Sequence, residues 1–311
     1  MLTVLFGLTG AVVYGFADFL GGLASRRIRP VAVTAVAAAI GIVPLLIGLA
    51  VLGGTPSWAG TLWGAVAGLS GAVGVLLLYA ALAIGPMSVL SPLTAVFAAV
   101  VPVLVAVARG TVLSPLAVAA VVVAVVAVVL VAAVRDTSGA RLTVRGVVAA
   151  AVAGCGFGFG GIVLAYDATP PGAGIHPLVV ARVLQTVLLG AAALVVTVRA
   201  GRGARSGGAA DPAASVGVAG SAVPPGRWWP PRLLLTVAAC GVLDALANVC
   251  IQAGLHASDD PGTLPVVSVL NALYPIGTVV LAGVVLRERL TAPQWVGIAL
   301  AFIASVGLAL A

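Results

Sequence analysis

Ten apolar runs, each about as long as a lipid bilayer is thick, constrain this chain more than any other feature. They lie near residues 3 to 24, 31 to 52, 60 to 83, 87 to 108, 114 to 134, 145 to 166, 177 to 198, 232 to 255, 263 to 286 and 292 to 311. An α-helix needs about 20 consecutive apolar residues to cross a hydrocarbon core about 30 Å thick. Ten such crossings use nearly all of the 311 residues. The runs are continuous, whereas barrel strands alternate over about 10 residues, so helices are expected. Only 7% of the residues are charged, against about 25% in an ordinary soluble domain, too few to clothe a water-soluble surface. The fold class expected is an all-α membrane protein of about ten transmembrane helices.

The net charge of +7 comes entirely from Arg, without a single Lys. Thirteen Arg (26, 27, 29, 135, 141, 145, 199, 202, 205, 227, 232, 287 and 289) follow odd-numbered runs, while Arg109 follows an even one and Arg182 lies inside a run. Basic residues in short loops set topology and are no footprint of nucleic acid; this distribution puts the odd-run loops in the cytoplasm and both termini outside. The first run is followed by Arg26, Arg27 and Arg29 and by no cleavage signal, so it is read as a span. Cys155, Cys240 and Cys250 fall inside apolar runs with no metal-ligand spacing, and read as small packing residues.

The two halves repeat each other. Ser91 to Phe97 (SPLTAVF) aligns with Ser268 to Tyr274 (SVLNALY), and the same offset sets Leu113 and Ser114 on Leu290 and Thr291. Near the start of each half, Gly15 and Phe16 match Gly156 and Phe157. Five spans per half is an odd number, so the repeats must sit in opposite orientations in the membrane. The first repeat is assigned to residues 1–135 and the second to 144–311, interrupted by a disordered Gly-, Ala-, Ser- and Pro-rich linker at 201–231. Trp58, Trp228, Trp229 and Trp295 fall where an interfacial aromatic belt would place them.

The stretch Leu286 to Gly297 (LRERLTAPQWVG), with an apolar run through Gly307, resembles the closing motif of the EamA-type transporters of the drug/metabolite transporter superfamily. Val267 to Pro275 and the opening Tyr14 to Gly21 (YGFADFLG) are also similar to that family. The resemblance covers nearly the whole chain apart from the linker. It implies a five-plus-five inverted repeat, a central cavity between the halves, and movement of amino acids, nucleobases, sugars or drug-like solutes. It also implies cytoplasmic termini, opposite to the Arg distribution. The chain departs from the family pattern at Thr111, which occupies the position of Glu288 in the first half, and at Ala35, where an Arg is often found; Arg182 keeps that Arg in the seventh span.

An ionisable group inside a span costs about 2.5–3.5 kcal/mol on insertion, so it faces a cavity or a partner. Asp18, with Tyr14 of the opening motif, lies about eight residues before Arg26, too deep for a loop charge. Asp244, Asn248 and Gln252 recur at i, i+4 and i+8 on one helix face, as a stripe lining water or substrate or as an interhelical hydrogen-bond ladder. Arg182, with Gln185 beside it, can hold a substrate carboxylate, neutralise Asp244, or snorkel to the interface. Asn271 and Tyr274, opposite Thr94 and Phe97 of the other repeat, are cavity candidates. Glu288, between Arg287 and Arg289, reads as a surface charge pair. Pro92, Pro102, Pro265 and Pro275 are candidates for bends.

The function expected is a secondary transporter, an exporter of small organic metabolites such as amino acids or drug-like solutes, working by alternating access in a cell inner membrane. A flippase for a lipid-linked substrate is the alternative, followed by a channel. A membrane-embedded enzyme is disfavoured because no catalytic constellation with suitable spacing is present. No cofactor or metal is expected. The partners expected are the bilayer, a small-molecule substrate, protons if Asp18 or Asp244 carries them, and a second copy in a homodimer.

Overall fold

The computed structural model describes residues 2–108, 110, 114–133, 142–158, 171–205, 229–256, 270, 273–288 and 291–310. Among the described residues, ten α-helices follow in order: α1 (Leu2–Ser25), α2 (Pro30–Leu52), α3 (Trp58–Ile84), α4 (Met87–Ala108), α5 (Pro115–Ala133), α6 (Val144–Phe157), α7 (His176–Arg205), α8 (Pro231–His256), α9 (Pro275–Val285) and α10 (Ala292–Leu310). A 3-10 turn, Pro171–Ala173, precedes α7. Helices α1, α2, α3, α7 and α8 are each long and apolar enough to cross a membrane, and the 24 residues of α1 span about 36 Å.

Local chemistry sets the ends. Pro30, Pro115, Pro231 and Pro275 open helices at the position where a missing N–H leaves nothing unsatisfied. Ser57 and Thr143 cap α3 and α6 through side-chain oxygens that accept from Gly60 N at 3.0 Å and Gly146 N at 3.1 Å. Val-rich α5 is helical despite its β-branched content, because a helix satisfies its own backbone in lipid.

Two expected boundaries shift. Helix α7 runs to Arg205, five residues into the expected linker, because a helix already formed gains one backbone hydrogen bond for each residue it adds. The ninth run does not continue as one helix through Pro275. This residue lacks the N–H that would bond into the preceding turn, and it begins α9 after a turn at Leu273 and Tyr274. Pro265, Asn271, Trp228 and residues 206–228 lie outside the described residues.

The helix contacts carry the two-repeat architecture. Exchanging every helix for the one five places along turns the α1–α8 contact into α6–α3, α1–α9 into α6–α4, and α2–α8 into α7–α3. The α2–α7, α4–α9 and α5–α10 contacts map onto themselves. Among the described residues, the α4–α10 contact and those among α1 to α5 (α1–α2, α1–α3, α2–α3, α3–α4 and α4–α5) depart from this symmetry, having no comparable counterpart. An odd shift of five helices reverses direction, so the related bundles are inverted.

The repeats meet through small residues. A methyl group built on Gly68 of α3 would lie 2.9 Å from Ala181 Cα in α7, and one on Gly241 of α8 would lie 2.9 Å from Ala37 Cα in α2. Such backbone-to-backbone approach holds membrane helices together where no hydrophobic effect separates protein from lipid. Large apolar side chains such as Ile47, Val51, Val187 and Leu235 instead face outward, 60% or more exposed, as a lipid-facing surface requires. The core is built on Phe19, Val33, Leu78, Leu82, Leu90 and Val237, contributed by α1, α2, α3, α4 and α8.

Candidate functional site

The three ionisable groups that stand out inside apolar runs converge on the middle of the bundle. Helices α7 and α8 both pack on α2, and Arg182 Nη2 donates to Asp244 Oδ2 between them. Gly41 of α2 makes the crossing tight. A methyl group there would stand 3.0 Å from the Gly241 carbonyl oxygen and 3.6 Å from Arg182 Nε. The guanidinium therefore turns inward to the carboxylate instead of snorkelling. The pair retains 12% and 17% side-chain exposure, between the fully buried Cys240, Ala245 and Ala247 and the more exposed Val183 and Leu246.

Asp18 of α1 is buried, 6% exposed, and lies within electrostatic reach of Asp244 and of Tyr14, Tyr79, Cys240 and Tyr274. Tyr14 and Tyr274 meet edge to face, with ring centroids 6.3 Å apart. Their approach is permitted by Gly15, packed against the Tyr274 carbonyl and Gly277, and fixed by Thr278 Oγ1, which donates to Gly15 O at 3.0 Å. Tyr79 of α3 lies with its ring on Gly21 and its hydroxyl 3.1 Å from Cys240 Sγ. Tyr79 thus joins α1, α3 and α8 beside the carboxylates. Its sequence gave no sign of this, since a tyrosine in an apolar helix carries no charge to mark it.

The remaining candidates have other partners. Asn248 Nδ2 donates to its own helix at Asp244 O, 2.8 Å, and Gln252 Nε2 donates to Gly174 O in the α6–α7 connection, 3.1 Å. The α8 stripe therefore divides among an ion pair, a bond along the helix and a bond to a loop. Gln185 lies over Gly71 of α3. Thr94 is fully buried and donates back to Leu90 O at 3.0 Å, so in this conformation it lines no open space.

Glu288 is not paired with its sequence neighbour Arg287, and its side chain is only 9% exposed. Its Oε1 accepts from Arg26 Nη2 at 3.1 Å and Met87 N at 3.2 Å; its Oε2 accepts from Ser88 N at 3.1 Å and Ser88 Oγ at 2.7 Å. This corrects the expectation of a surface pair. The carboxylate caps α4, where the helix dipole favours negative charge, and a distant Arg neutralises it. Arg26 and Ser88 escaped sequence reasoning, Arg26 because it read as one more topology-setting loop charge.

Two cavities border this framework. One of about 550 Å³ is lined by Ser88, Val279, Gly283, Glu288 and Trp295, and one of about 250 Å³ by apolar residues of α1 and α9 including Leu8, Val12, Phe16 and Ile276. Neither includes Asp18, Arg182 or Asp244.

Comparison with known proteins bears on what such an arrangement serves. A solved structure described only as the crystal structure of a protein shares the fold, with a TM-score of 0.59 at 18% identity, covering 99% of this chain and 95% of that one. Comparison with curated proteins returns no match. The family model of the EamA-like transporter family matches residues 1–133 and 213–310, well over half of the sequence, and the two-repeat helical bundle agrees with it. This chain belongs to the EamA-like transporter family, a family of multi-pass membrane transporters.

Proposed function

We propose that this transporter exports small organic metabolites, amino acids and drug-like solutes among them, across a cell inner membrane by alternating access. Substrate and coupling ion would meet at the Arg182–Asp244 pair and at Asp18. The observation that carries this reading is an ion pair set inside two apolar helices with both of its side chains still partly exposed. Replacing a buried ion pair by well-packed apolar residues is often neutral or stabilising by about 1–4 kcal/mol, so cohesion alone is a poor reason to keep one. A pair reached by water can exchange its internal partner for a substrate carboxylate or ammonium, which is differential binding between states. The small-residue contacts between repeats suit one bundle rocking on the other.

Proton coupling is read from Asp18, a second carboxyl group within electrostatic reach of a pair whose two charges already balance. Proteoliposomes given labelled amino acids, nucleobases and sugars, with and without an imposed pH gradient, test the reading. Saturable, gradient-driven accumulation is expected. Asp18→Asn is expected to abolish the gradient's effect while exchange persists; undiminished accumulation in that variant removes Asp18 as the proton carrier. The apolar groove between α1 and α9 gives a lipid-linked substrate its one supporting feature. Saturable exchange of a soluble solute decides against that alternative.

A further inference from the structure

An alternating-access carrier must close each end of its pathway in turn, and the contacts that close an end must part when it opens. Among the described residues, the two ends of this bundle are closed differently. At the end bearing the α2–α3 and α6–α7 connections, Thr55 N donates to Gly172 O at 2.9 Å and Ile175 N to Gly53 O at 3.2 Å. At the other, Arg-rich end, the closure is ionic. Arg26 reaches from the end of α1 to Leu82 O at 3.3 Å, Gly85 O at 3.0 Å and Glu288 Oε1 at 3.1 Å.

We propose that Arg26 and Glu288 form the latch of the Arg-rich end, a closed-state contact that must part before the central cluster opens to that side. The proposal rests on the alternating-access reading and assigns its gate. Arg26 and the α3–α4 corner belong to the first repeat, while Glu288 lies between α9 and α10 of the second, so the contact bridges the bodies that would move apart. It lies beyond the ends of α1, α3 and α9, where water can solvate both charges once they separate. The Arg182–Asp244 pair lies inside the helices, away from both ends. The latch also stands directly over the cluster: Gly21, on which Tyr79 rests, precedes Arg26 by about 7.5 Å of helix.

A passive cap on α4 is the competing explanation for Glu288. Capping needs the Met87 and Ser88 contacts and has no use for Arg26, so Arg26→Gln separates the two. Cys240, buried against Tyr79, is a built-in reporter once Cys155→Ser and Cys250→Ser remove the other thiols. Vesicles of known orientation are treated with a membrane-impermeant maleimide from either face. Arg26→Gln and Glu288→Gln are expected to label Cys240 about tenfold faster from the Arg-rich face, as a two-state equilibrium shifts on losing a closed-state contact, and at the parent rate from the other. Unchanged labelling in folded Arg26→Gln protein overturns the latch, as does an equal rise from both faces. If Glu288→Gln does not fold, Arg26→Gln carries the test alone. Counterflow in the same vesicles separates the failures: counterflow without directional labelling overturns the latch, and no counterflow in the parent overturns the reading beneath it.

Discussion

Arg182→Gln is expected to abolish transport and to destabilise the purified protein, because it leaves the Asp244 carboxylate without its counter-charge between α7 and α8. Removing one member of a buried pair costs about 3–5 kcal/mol. The residual exposure of both side chains lets water offset part of this, so the lower end of that range is expected. Asp244→Asn should behave alike, stranding the guanidinium. The double variant Arg182→Gln/Asp244→Asn removes both charges and should recover most of the lost stability, since the two amides can hydrogen-bond to each other. Transport should remain absent. Thermal melting in detergent and uptake in proteoliposomes provide the two readouts. A double variant that transports like the parent would make the pair a structural tie and nothing more.

Substitution at Gly241 should have the next largest effect. A Cβ there meets the backbone of Ala37, with the Cα at 2.9 Å and the carbonyl carbon at 3.0 Å, and backbone cannot swing aside as a side chain would. Gly241→Ala is expected to destabilise by about 1–3 kcal/mol through overpacking, and Gly241→Leu to prevent α2 and α8 from closing. Gly190 is the internal control: a Cβ there has nothing within 4 Å, and Gly190→Ala should be neutral or stabilise by up to about 1 kcal/mol through helix propensity. Melting midpoints compare them. Equal effects at Gly241 and Gly190 would mean that the close α2–α8 crossing does not limit stability.

The helices were legible because the bilayer imposes a length and a composition that few other contexts demand, so apolar runs located the ten helical segments. Asp18, Arg182 and Asp244 were legible for a related reason: in an apolar run, an ionisable residue stands out. Their mutual arrangement was not, because an ion pair between residues 62 apart depends on how α7 and α8 cross α2. Polarity alone did not show where the Thr94 hydroxyl bonds. A hydroxyl in a helix can turn back to the carbonyl four residues earlier, as this one does to Leu90, and no alignment with Asn271 reveals the choice. Glu288 shows the limit most clearly. Its adjacent Arg residues suggested a local pair, yet its charged partner, Arg26, is 262 residues away, and its amide partners belong to a helix start that only the packed bundle brings near.

Counterflow tests the account most directly. Proteoliposomes containing the parent protein or Arg182→Gln/Asp244→Asn are loaded with a mixture of unlabelled amino acids, nucleobases and sugars and diluted into trace labelled counterparts. The account predicts saturable, transient accumulation of at least one labelled solute by the parent and none by the double variant, with both proteins equally folded. Linear, unsaturable flux in the parent, or equal counterflow in the two proteins, would contradict a carrier organised around the Arg182–Asp244 pair.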